Sequence, residues 1–530
     1  MRLLQKAYTL IIGLALCVLS LQAQEHNADS VPGKKTMVYL EHANTLSFDK
    51  NVKQDAQVLV GDVRFRHDSS YMYCDSALFY KTDNSLEAYS NVRMEQGDTL
   101  FVYGQYLRYD GNTKIARLRE NVRMENGQVT LFTDSLNYER IPNIGYYFEG
   151  GMIVDSLNQL SSYYGQYSPS TKLAVFNDSV RLENPNFTLI SDTLHYNTDS
   201  KISTILGPSV IVSDSGTIHT SRGWYDTVHN TSMLLDRSEV ISGNRFLTGD
   251  SISYDRGNGF GEVFGNMSIR DTLQHIILQG EYGYYNEKNG YAFATDSARC
   301  LEYSQGDTLY LHADTLQMVT IDSTYREVKA YYGVRFFRKD LQGVCDSMQF
   351  NSRDSILYMY SEPVIWNDKY QLYGDTIAVF MNDSTIDFAH VKQFAFAAQE
   401  LDTSYYNQLK GNDLKAYFSG KAVRQIDVSG NAESIFYPLE KDGSMVGMNT
   451  TQSAYLTIWL KDNKLEKIKT WTKTIAQMIP IPDLNPKQKV LKDFFWFDYL
   501  RPKDKDDIFE VKKKKVNEAP KRSNKFVHEE

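Results

Sequence analysis

The sequence predicts an extended all-β protein built from repeats of about thirty residues. The stretch NVRMEQGDTLFVYGQYLRYD at residues 91–110 returns in altered form as NVRMENGQVTLFTDSLNYER at residues 121–140. Tyrosine (37 residues) and phenylalanine (26) are abundant and proline (12) is scarce, which favours strands over disorder. At 530 residues the chain exceeds the size of one compact core, so the repeat predicts an elongated array.

Two short phrases alternate along the chain. The first is a glycine, asparagine or aspartate followed by alternating apolar and polar residues, as in NVRME at residues 91–95. The second is an aspartate, a polar residue and an alternating strand, as in DSLNY at residues 134–138. Glycine and asparagine suit positive-φ turn positions, and aspartate can close a turn through the nearby backbone. Each phrase therefore predicts a turn followed by a short strand.

The alternation places the apolar residues of both phrases on one inward face, because successive side chains of a strand point to opposite sides. A unit of about three short strands cannot bury that face alone, whereas stacked units can. The candidate inward positions are Val63, Phe65, Ala77, Phe79, Val92, Met94, Val122, Met124, Leu136, Tyr138, Val180, Leu194, Tyr196, Ile252, Tyr254, Leu316, Met348, Phe350 and Ile377.

The first 23 residues read as a secretion signal. Arg2 and Lys6 precede a mostly apolar run that ends in a small residue, the pattern that signal peptidase favours. We expect export, with residues 24–37 as a linker. Cys17 leaves a lipoprotein alternative open, although the leucine before it is large for that motif. No later stretch has the roughly 18 to 20 apolar residues of a spanning helix.

Composition and motifs argue against several classes of protein. The net charge of −9 disfavours nucleic acid as a ligand. After signal cleavage Cys74, Cys300 and Cys345 remain, widely spaced and odd in number, which suits neither a disulfide framework nor a metal cluster. No HExxH, GxSxG or P-loop spacing occurs, and no carboxylate pair stands out. We expect no enzymatic activity, metal or cofactor.

The repeat resembles the OstA/LptA family of lipopolysaccharide-transport proteins. Residues 121–127 (NVRMENG), residues 131–134 (LFTD) and Tyr138 follow the order of the family's repeat, with Thr133 where the family usually has alanine. About ten copies in phase extend the resemblance over residues 38–400. It implies an antiparallel β-jellyroll, V-shaped and open along one seam.

The resemblance also implies a function. Such proteins carry the acyl chains of lipopolysaccharide in an apolar groove, here lined by the inward positions, and bridge the periplasm to the outer membrane. They join the jellyrolls of an inner-membrane extractor and an outer-membrane translocon end to end, through unpaired strand edges. The alternative is a structural or adhesive β-solenoid of the cell envelope, with a packed core and no lipid. The uneven repeat spacing favours the jellyroll.

The pattern changes from residue 401. We expect a terminal β unit over residues 401–480, and an aromatic capping segment over residues 481–502, rich in phenylalanine and tryptophan, that packs over a sheet end. Residues 503–530 are charged and predict a disordered tail. Lys512 to Lys515 fit either a solvated tail or contact with anionic lipid headgroups.

Aspartate, serine or threonine, and an aliphatic residue form a recurrent triplet, for example at Asp75, Asp134, Asp192 and Asp250. The triplet resembles an O-glycosylation acceptor motif of some Gram-negative bacteria. The simpler interpretation is a turn followed by a strand whose aliphatic residue points inward. We expect this interpretation to hold for most copies.

Overall fold

A computed structural model describes residues 36–48, 55–304, 306–321, 325–382, 385–420, 422–440, 443–461 and 464–515. The predicted signal peptide with Cys17, the linker up to residue 35 and residues 516–530 lie outside these ranges. Within them, the regular elements are β-strands and short 3-10 helices, and the strands pair antiparallel, which confirms the all-β prediction. None of the helices in these ranges is long and apolar enough to cross a membrane.

The chain forms two compact units, Met1–Glu149 and Gly150–Glu530. The predicted boundary at residue 400 falls instead inside a long strand of the second unit. The strands of the first unit are β1 Tyr39–His42, β2 Thr45–Ser47, β3 Gln57–His67, β4 Ser70–Tyr80, β5 Ser85–Gln96, β6 Leu100–Asp110, β7 Ile115–Asn126, β8 Val129–Glu139 and β9 Ile144–Tyr147.

The second unit continues with shorter and longer strands in the same antiparallel style. Its strands are β10 Gly151–Val154, β11 Gln159–Ser162, β12 Tyr164–Ser168, β13 Leu173–Asn184, β14 Phe187–Asn197, β15 Ile202–Ile205, β16 Ser209–Ser213, β17 Gly216–Thr220, β18 Arg222–Asp226, β19 Thr231–Leu235, β20 Glu239–Ser242, β21 Arg245–Thr248, β22 Ser251–Asp255, β23 Phe260–Asp271, β24 Ile276–Asn286, β25 Tyr291–Thr295, β26 Arg299–Glu302, β27 Leu309–His312, β28 Thr315–Ile321, β29 Tyr325–Arg338, β30 Leu341–Asn351, β31 Ile356–Tyr360, β32 Val364–Asn367, β33 Tyr370–Tyr373, β34 Thr376–Asn382, β35 Thr385–Asp402, β36 Tyr405–Ser419, β37 Ala422–Phe436, β38 Gly447–Lys461, β39 Lys464–Trp471 and β40 Ile475–Pro480. The 3-10 helices are Ile481–Asp483, Pro486–Lys489, Asp498–Leu500 and Asp507–Phe509.

The long strands share a bend, which we call the corner. In β5, Ser90 and Asn91 have φ angles of 59° and 52° and together face one residue of β4, so the register shifts between Tyr89 and Val92. An extra residue in one strand of a pair bends that strand. The same two-residue pattern of positive φ recurs at Gly61–Asp62, Glu120–Asn121, Asp178–Ser179, Gly265–Asn266, Tyr332–Gly333, Gln393–Phe394 and Gly430–Asn431.

The two sequence phrases meet at the corner. The asparagine of the first phrase takes the second left-handed position, which asparagine tolerates better than most residues. The aspartate of the second phrase lies on a neighbouring strand and accepts a hydrogen bond from this asparagine. Asn91 Nδ2 donates to Asp75 Oδ2 at 2.7 Å, and the backbone N–H of Asn121 donates to Asp134 Oδ1 at 3.1 Å. The prediction of positive-φ turns is confirmed, and these triplets have a structural role at the bend.

The corner divides each unit into two limbs. In the first unit, limb A holds residues 57–60, 76–80, 85–89, 106–110, 115–119 and 135–139, and limb B holds residues 63–67, 70–74, 92–96, 100–104, 122–126 and 129–133. In the second unit, limb A comprises β12, β15, β18, β19, β22, β25, β28, β31, β34 and β39, and limb B comprises β10, β11, β16, β17, β20, β21, β26, β27, β32, β33 and β40. The strands β13, β14, β23, β24, β29, β30 and β35 to β38 run through both limbs.

The inner faces of the two limbs pack against each other. In the first unit the rings of Phe65 (limb B) and Phe79 (limb A) lie 5.3 Å apart. In the second unit the rings of Phe187 (limb B) and Tyr225 (limb A) lie 4.7 Å apart. The interior between the limbs opens at the strand ends away from the corner, and we call this edge the mouth.

Residues 485–515, which we call the strap, lie against the outer face of limb B in the second unit. Phe497 joins Val364, Trp366, Tyr373 and Phe396 in one buried cluster. These side chains bury most of their apolar area, which supplies the largest favourable part of such docking.

Glutamine side chains fix the backbone of the strap. Gln371 donates from Nε2 to the carbonyl oxygen of Phe495 at 2.8 Å and accepts from the backbone N–H of Phe497 at 2.7 Å. Gln408 does the same with Lys489 and Leu491, each at 2.8 Å. The aromatic segment therefore covers the face of limb B.

Residues 503–515 also differ from the disordered tail that the sequence predicts. Ile508 is fully buried, and the ring of Phe509 lies 4.7 Å from that of His312. These two apolar residues stand among charged ones, and the charges pair locally. Lys514 Nζ lies 3.2 Å from a carboxylate oxygen of Glu362, and Lys512 Nζ lies 2.8 Å from one of Asp507.

We predict that Asn121→Ala lowers the free energy of unfolding by about 1 to 2 kcal/mol, because alanine disfavours the left-handed backbone that φ of 51° requires. Asn121→Gly is the matched control and should leave stability almost unchanged, since glycine adopts this conformation freely. Urea denaturation of the three proteins measures the difference. An equal loss in both variants would contradict a backbone role.

We predict that Phe497→Ala lowers the free energy of unfolding by about 3 kcal/mol or more, because it removes a fully buried ring from the strap cluster. Amide hydrogen exchange in β32 and β33 should accelerate. Val511→Ala, on an exposed part of the same strap, is the control and should change stability by less than about 0.5 kcal/mol. Unchanged exchange in β32 and β33 would show that the strap does not support this wall.

Candidate functional site

The predicted inward positions all lie on the inner faces of the limbs. Each of the nineteen except Phe350 is buried. They belong to different rows, a row being a line of side chains paired from strand to strand. The row next to the corner on limb A contains Leu194, Ile252, Leu316, Met348 and Ile377, and none of these five is more than 8% exposed.

The next row of limb A, closer to the mouth, alternates tyrosines with small residues. Tyr109, Tyr138, Tyr167, Tyr196, Tyr225 and Tyr254 follow one another at intervals of 29 residues. Within the second unit the paired row reads Tyr167, Ala174, Tyr196, Ser203, Tyr225, Ser232, Tyr254, Gly261, Tyr285 and Ala292, and we call it the tyrosine row.

Large and small side chains in alternation fill the interior beneath the tyrosine row. Tyr167, Tyr196 and Tyr225 are at most 1% exposed. At Gly261 an added Cβ would lie 2.7 Å from Leu247 Cδ2 on limb B, so the two limbs are already in contact there. This stretch holds a packed core and not a cleft.

Polar groups join the two limbs across the mouth at the tyrosine row. Asp155, on limb B, accepts hydrogen bonds from the hydroxyl of Tyr196 at 2.5 Å and from Lys201 Nζ at 2.9 Å, both on limb A. Asn158 Nδ2, also on limb B, donates to Tyr196 Oη at 2.8 Å and to Thr227 Oγ1 at 3.0 Å. Burial raises the pKa of Asp155, but the hydrogen bonds that it accepts from Tyr196, Lys201 and the backbone N–H groups of Leu157 and Asn158 outweigh that effect and hold the pKa below its ordinary value. The carboxylate stays charged.

The bridging contacts continue along the row. Arg256, on limb A, donates to the carbonyl oxygen of Asn186 at 2.8 Å and to Ser215 Oγ at 3.1 Å, both on limb B. Arg245 of limb B hydrogen-bonds the hydroxyl of Tyr285 on limb A. We call the bridging contacts from Asp155 to Tyr285 the latch.

The first unit has its own bridge at the mouth. His67 of limb B is fully buried, and its Nδ1 lies 2.6 Å from the hydroxyl of Tyr109 on limb A. Arg140 donates to that hydroxyl at 2.7 Å and to Gln96 at 3.3 Å. Burial first, and then the cations Arg140 and Lys114, lower the pKa of His67, while Asp68 opposes them. His67 is therefore neutral at physiological pH.

Beyond Ala292 the same row changes chemistry. Ala292 pairs with Met318, and the row then contains no tyrosine and no group that donates a hydrogen bond. We call it the aliphatic row: Met318, Val328, Phe350, Leu357, Val379, Ala389, Ala416, Ile426 and Ile458. Six of these side chains are partly exposed: Met318, Val328, Phe350, Leu357, Ile426 and Ile458.

Limb B shows the matching change on its inner face. Its inner row is buried at Leu278, Leu311 and Phe336 but becomes partly exposed at Ile365 and Leu372. The outward neighbours of these two residues are the reverse case, since Val364 and Trp366 are fully buried under the strap. In this stretch limb B buries the apolar side chains of its outer face and leaves those of its inner face partly exposed.

A small cavity marks the change between the two stretches. It has a volume of about 30 Å³ and is lined from limb B by Ile269 and Leu278 and from limb A by Tyr285, Ala292 and Met318. That volume is of the order of one water molecule and too small for an acyl chain. The candidate functional site is therefore the open stretch on the far side of this cavity, between the aliphatic row and the inner row of limb B. We call it the open groove.

Sequence reasoning found Phe350 but missed most of the open groove. The signal was present in strands that are apolar on both faces, PVIW at residues 363–366 and AFAA at residues 395–398. Such a run predicts a strand covered on both sides. The aromatic segment that forms the strap could have been assigned as the cover of the outer side. The inner side would then remain for another occupant.

Cys74, Cys300 and Cys345, the cysteines within the described ranges, are buried free thiols. Burial raises the pKa of Cys74 and of Cys300 to about 12. Among the residues that the structure describes, no group of three histidine, cysteine or acidic side chains could hold a metal ion.

We predict that His67 makes stability depend on pH. Because its pKa is lower in the folded chain than the ordinary 6.5, its contribution is complete above pH 6.5 and is lost as the pH falls through the folded-state pKa. Between pH 8 and pH 5.5 the native protein should lose more unfolding free energy than a His67→Gln variant, as measured by urea denaturation. Parallel losses in the two proteins would contradict this role.

Comparison with known proteins gives one family. Residues 35–192 match the family model described as OstA-like protein, a region that holds the first unit and reaches β14 of the second. No curated protein matches the chain.

Among solved structures, the chain is similar to the crystal structure of LptH, the LptA homologous periplasmic component of the conserved lipopolysaccharide transport device from Pseudomonas aeruginosa. The identity is 13%, the alignment covers 20% of this chain and 79% of that chain, and the TM-score is 0.19. At that TM-score the similarity carries no argument. The family match confirms the predicted resemblance over residues 35–192, and over those residues the chain is similar to OstA-like proteins.

Proposed function

We propose that this protein is a non-enzymatic, exported lipid-binding bridge of the periplasm. It binds the acyl chains of lipopolysaccharide and passes the lipid from the inner to the outer membrane. The match of residues 35–192 to OstA-like proteins supports a function of this class. The observation that carries the proposal is the open groove, whose aliphatic row is partly exposed on the inner face of a sheet.

The dimensions and chemistry of the open groove suit alkyl chains. The aliphatic row crosses β28 to β31 and β34 to β38, which at about 4.8 Å per strand gives a length of about 40 Å. Transfer of a methylene group from water to such a surface is worth about 0.8 kcal/mol. The row has no polar side chain that would have to lose water without a partner.

The partners in this proposal are other jellyroll proteins of the transport bridge, on the inner-membrane extractor and the outer-membrane translocon. Strands β39 and β40 both pair with β38 and expose Trp471, Ile475 and Met478. Unpaired strand edges with apolar side chains favour addition of another strand. End-to-end pairing would continue the inner surface from one protein to the next.

The alternative is a structural β-solenoid of the cell envelope. The burial of Tyr167, Tyr196 and Tyr225, each at most 1% exposed, favours it for the latched stretch, because a packed core needs no ligand. The partly exposed aliphatic row does not fit it. Depletion of the protein in cells separates the two functions: loss of lipopolysaccharide from the outer membrane supports the bridge, and unchanged lipopolysaccharide supports the solenoid.

We predict that photoreactive side chains at Leu357 and Ile426, on the inner face, crosslink to lipopolysaccharide. Their sequence neighbours Tyr358 and Gln425 point to the outer face and serve as matched controls. Gel electrophoresis with detection of the lipid measures the adducts. The inner positions should be labelled several times more strongly than the outer ones. Equal labelling of the two faces would contradict binding in the open groove.

A further inference from the structure

One row of the fold carries two kinds of chemistry in the second unit. From Tyr167 to Tyr285 it is the tyrosine row, in which the hydroxyls of Tyr196 and Tyr285 reach charged groups of the opposite limb. From Met318 to Ile458 the same row is aliphatic. The latch lies along the tyrosine row, and most side chains of the aliphatic row are partly exposed.

We propose that, within the second unit, the latch excludes acyl chains from residues 155–285 and lipid binds in the open groove, within residues 309–461. This inference rests on the proposed function and adds to it the place of binding. The protein is then a closed spacer joined to a binding segment, and not one uniform conduit.

Access beneath the latch would require several bonds to break together. The carboxylate of Asp155 has no exposed side-chain surface and holds both Tyr196 and Lys201. If the contacts of Asp155 with Tyr196 and Lys201 opened, a buried charge would lose its partners, which is a costly state unless water enters. The adjacent hydrogen bond from Asn158 to Thr227 also joins the two limbs, so neighbouring bridging contacts support one another.

Space is the second obstacle. Tyr196 and Tyr225 are fully buried, and the small residue between them, Ser203, is fully buried as well. A chain lying on this row would have to displace the tyrosine rings. The cavity where the row ends, between Tyr285 and Met318, has a volume of only about 30 Å³.

The open groove has neither obstacle. Its aliphatic side chains offer no hydroxyl to the opposite limb, and six of them are partly exposed. The wall of limb B does not depend on inner packing there, because the strap buries Val364, Trp366 and Phe396 from the outer side. An apolar chain can therefore enter this stretch without disrupting a core.

Crosslinking along the full-length protein tests the inference. Photoreactive side chains at Leu194 and Leu234 report on the latched stretch, and those at Leu357 and Ile426 report on the open groove. Purified protein is mixed with lipopolysaccharide, and adducts are compared at equal lipid concentration. We expect adducts at Leu357 and Ile426 and at least ten times fewer at Leu194 and Leu234.

A second variant tests the latch itself. Tyr196→Phe combined with Tyr285→Phe removes the two hydroxyls of the row that bond charged groups of limb B and leaves the rings in place, so the fold should survive. The loss of a hydrogen bond to a charged group corresponds to about a ten-fold change in the equilibrium constant for opening one bridging contact. Adducts at Leu194 should therefore rise by about ten-fold. Tyr282→Phe is the matched control, since the Tyr282 hydroxyl bonds Glu262 within limb A, at 2.7 Å, and should leave Leu194 unlabelled.

The outcomes are distinguishable. Strong labelling at all four positions in the unmodified latch would overturn the exclusion and keep the lipid-binding function. Absence of adducts at every position would overturn both the function and the inference. A rise at Leu194 with Tyr282→Phe equal to that with the double variant would show that the latch hydroxyls do not control access.

Discussion

The strands of each limb have an apolar face that must be kept out of water. In the stretch with the tyrosine row the inner faces of the two limbs satisfy each other, and Tyr196 and Tyr225 are fully buried. In the stretch with the aliphatic row, the strap buries Val364 and Trp366 from outside. The same fold therefore supports a closed core in one part and an open apolar surface in another. Which face is buried decides which part can take a ligand.

The corner makes both arrangements possible. Two left-handed residues bend alternate long strands, from β3 to β37, and aim the inner faces of their halves at each other. Asparagine with a facing aspartate stabilises the bend, as Asn91 and Asp75 do. The corner fixes the limbs at one edge only. The opposite edge, the mouth, is held by side chains, and so it can be latched by polar groups or left open. Access to the interior is therefore set by side-chain chemistry at the mouth and not by strand pairing.

Much of this could be predicted from the sequence, because period-two alternation and turn residues are local signals. They gave the strands, the inner faces and the positive-φ turns at positions such as Asn121. The latch could not be predicted, since Asp155 and Tyr196 are 41 residues apart and meet only through the folded limbs. The second part of the strap, residues 503–515, was missed for the same reason. Its charged residues indicate disorder locally, whereas Ile508 and Phe509 find their partners on distant strands.

The central claim is that one apolar surface of this fold is open and the rest is closed. A structure determined with bound lipopolysaccharide tests it most directly. We expect density for acyl chains against Leu357, Ile365 and Leu372, with the Tyr196 to Asp155 hydrogen bond intact. Acyl chains beneath Tyr196 and Tyr225, with the latch broken, would contradict it.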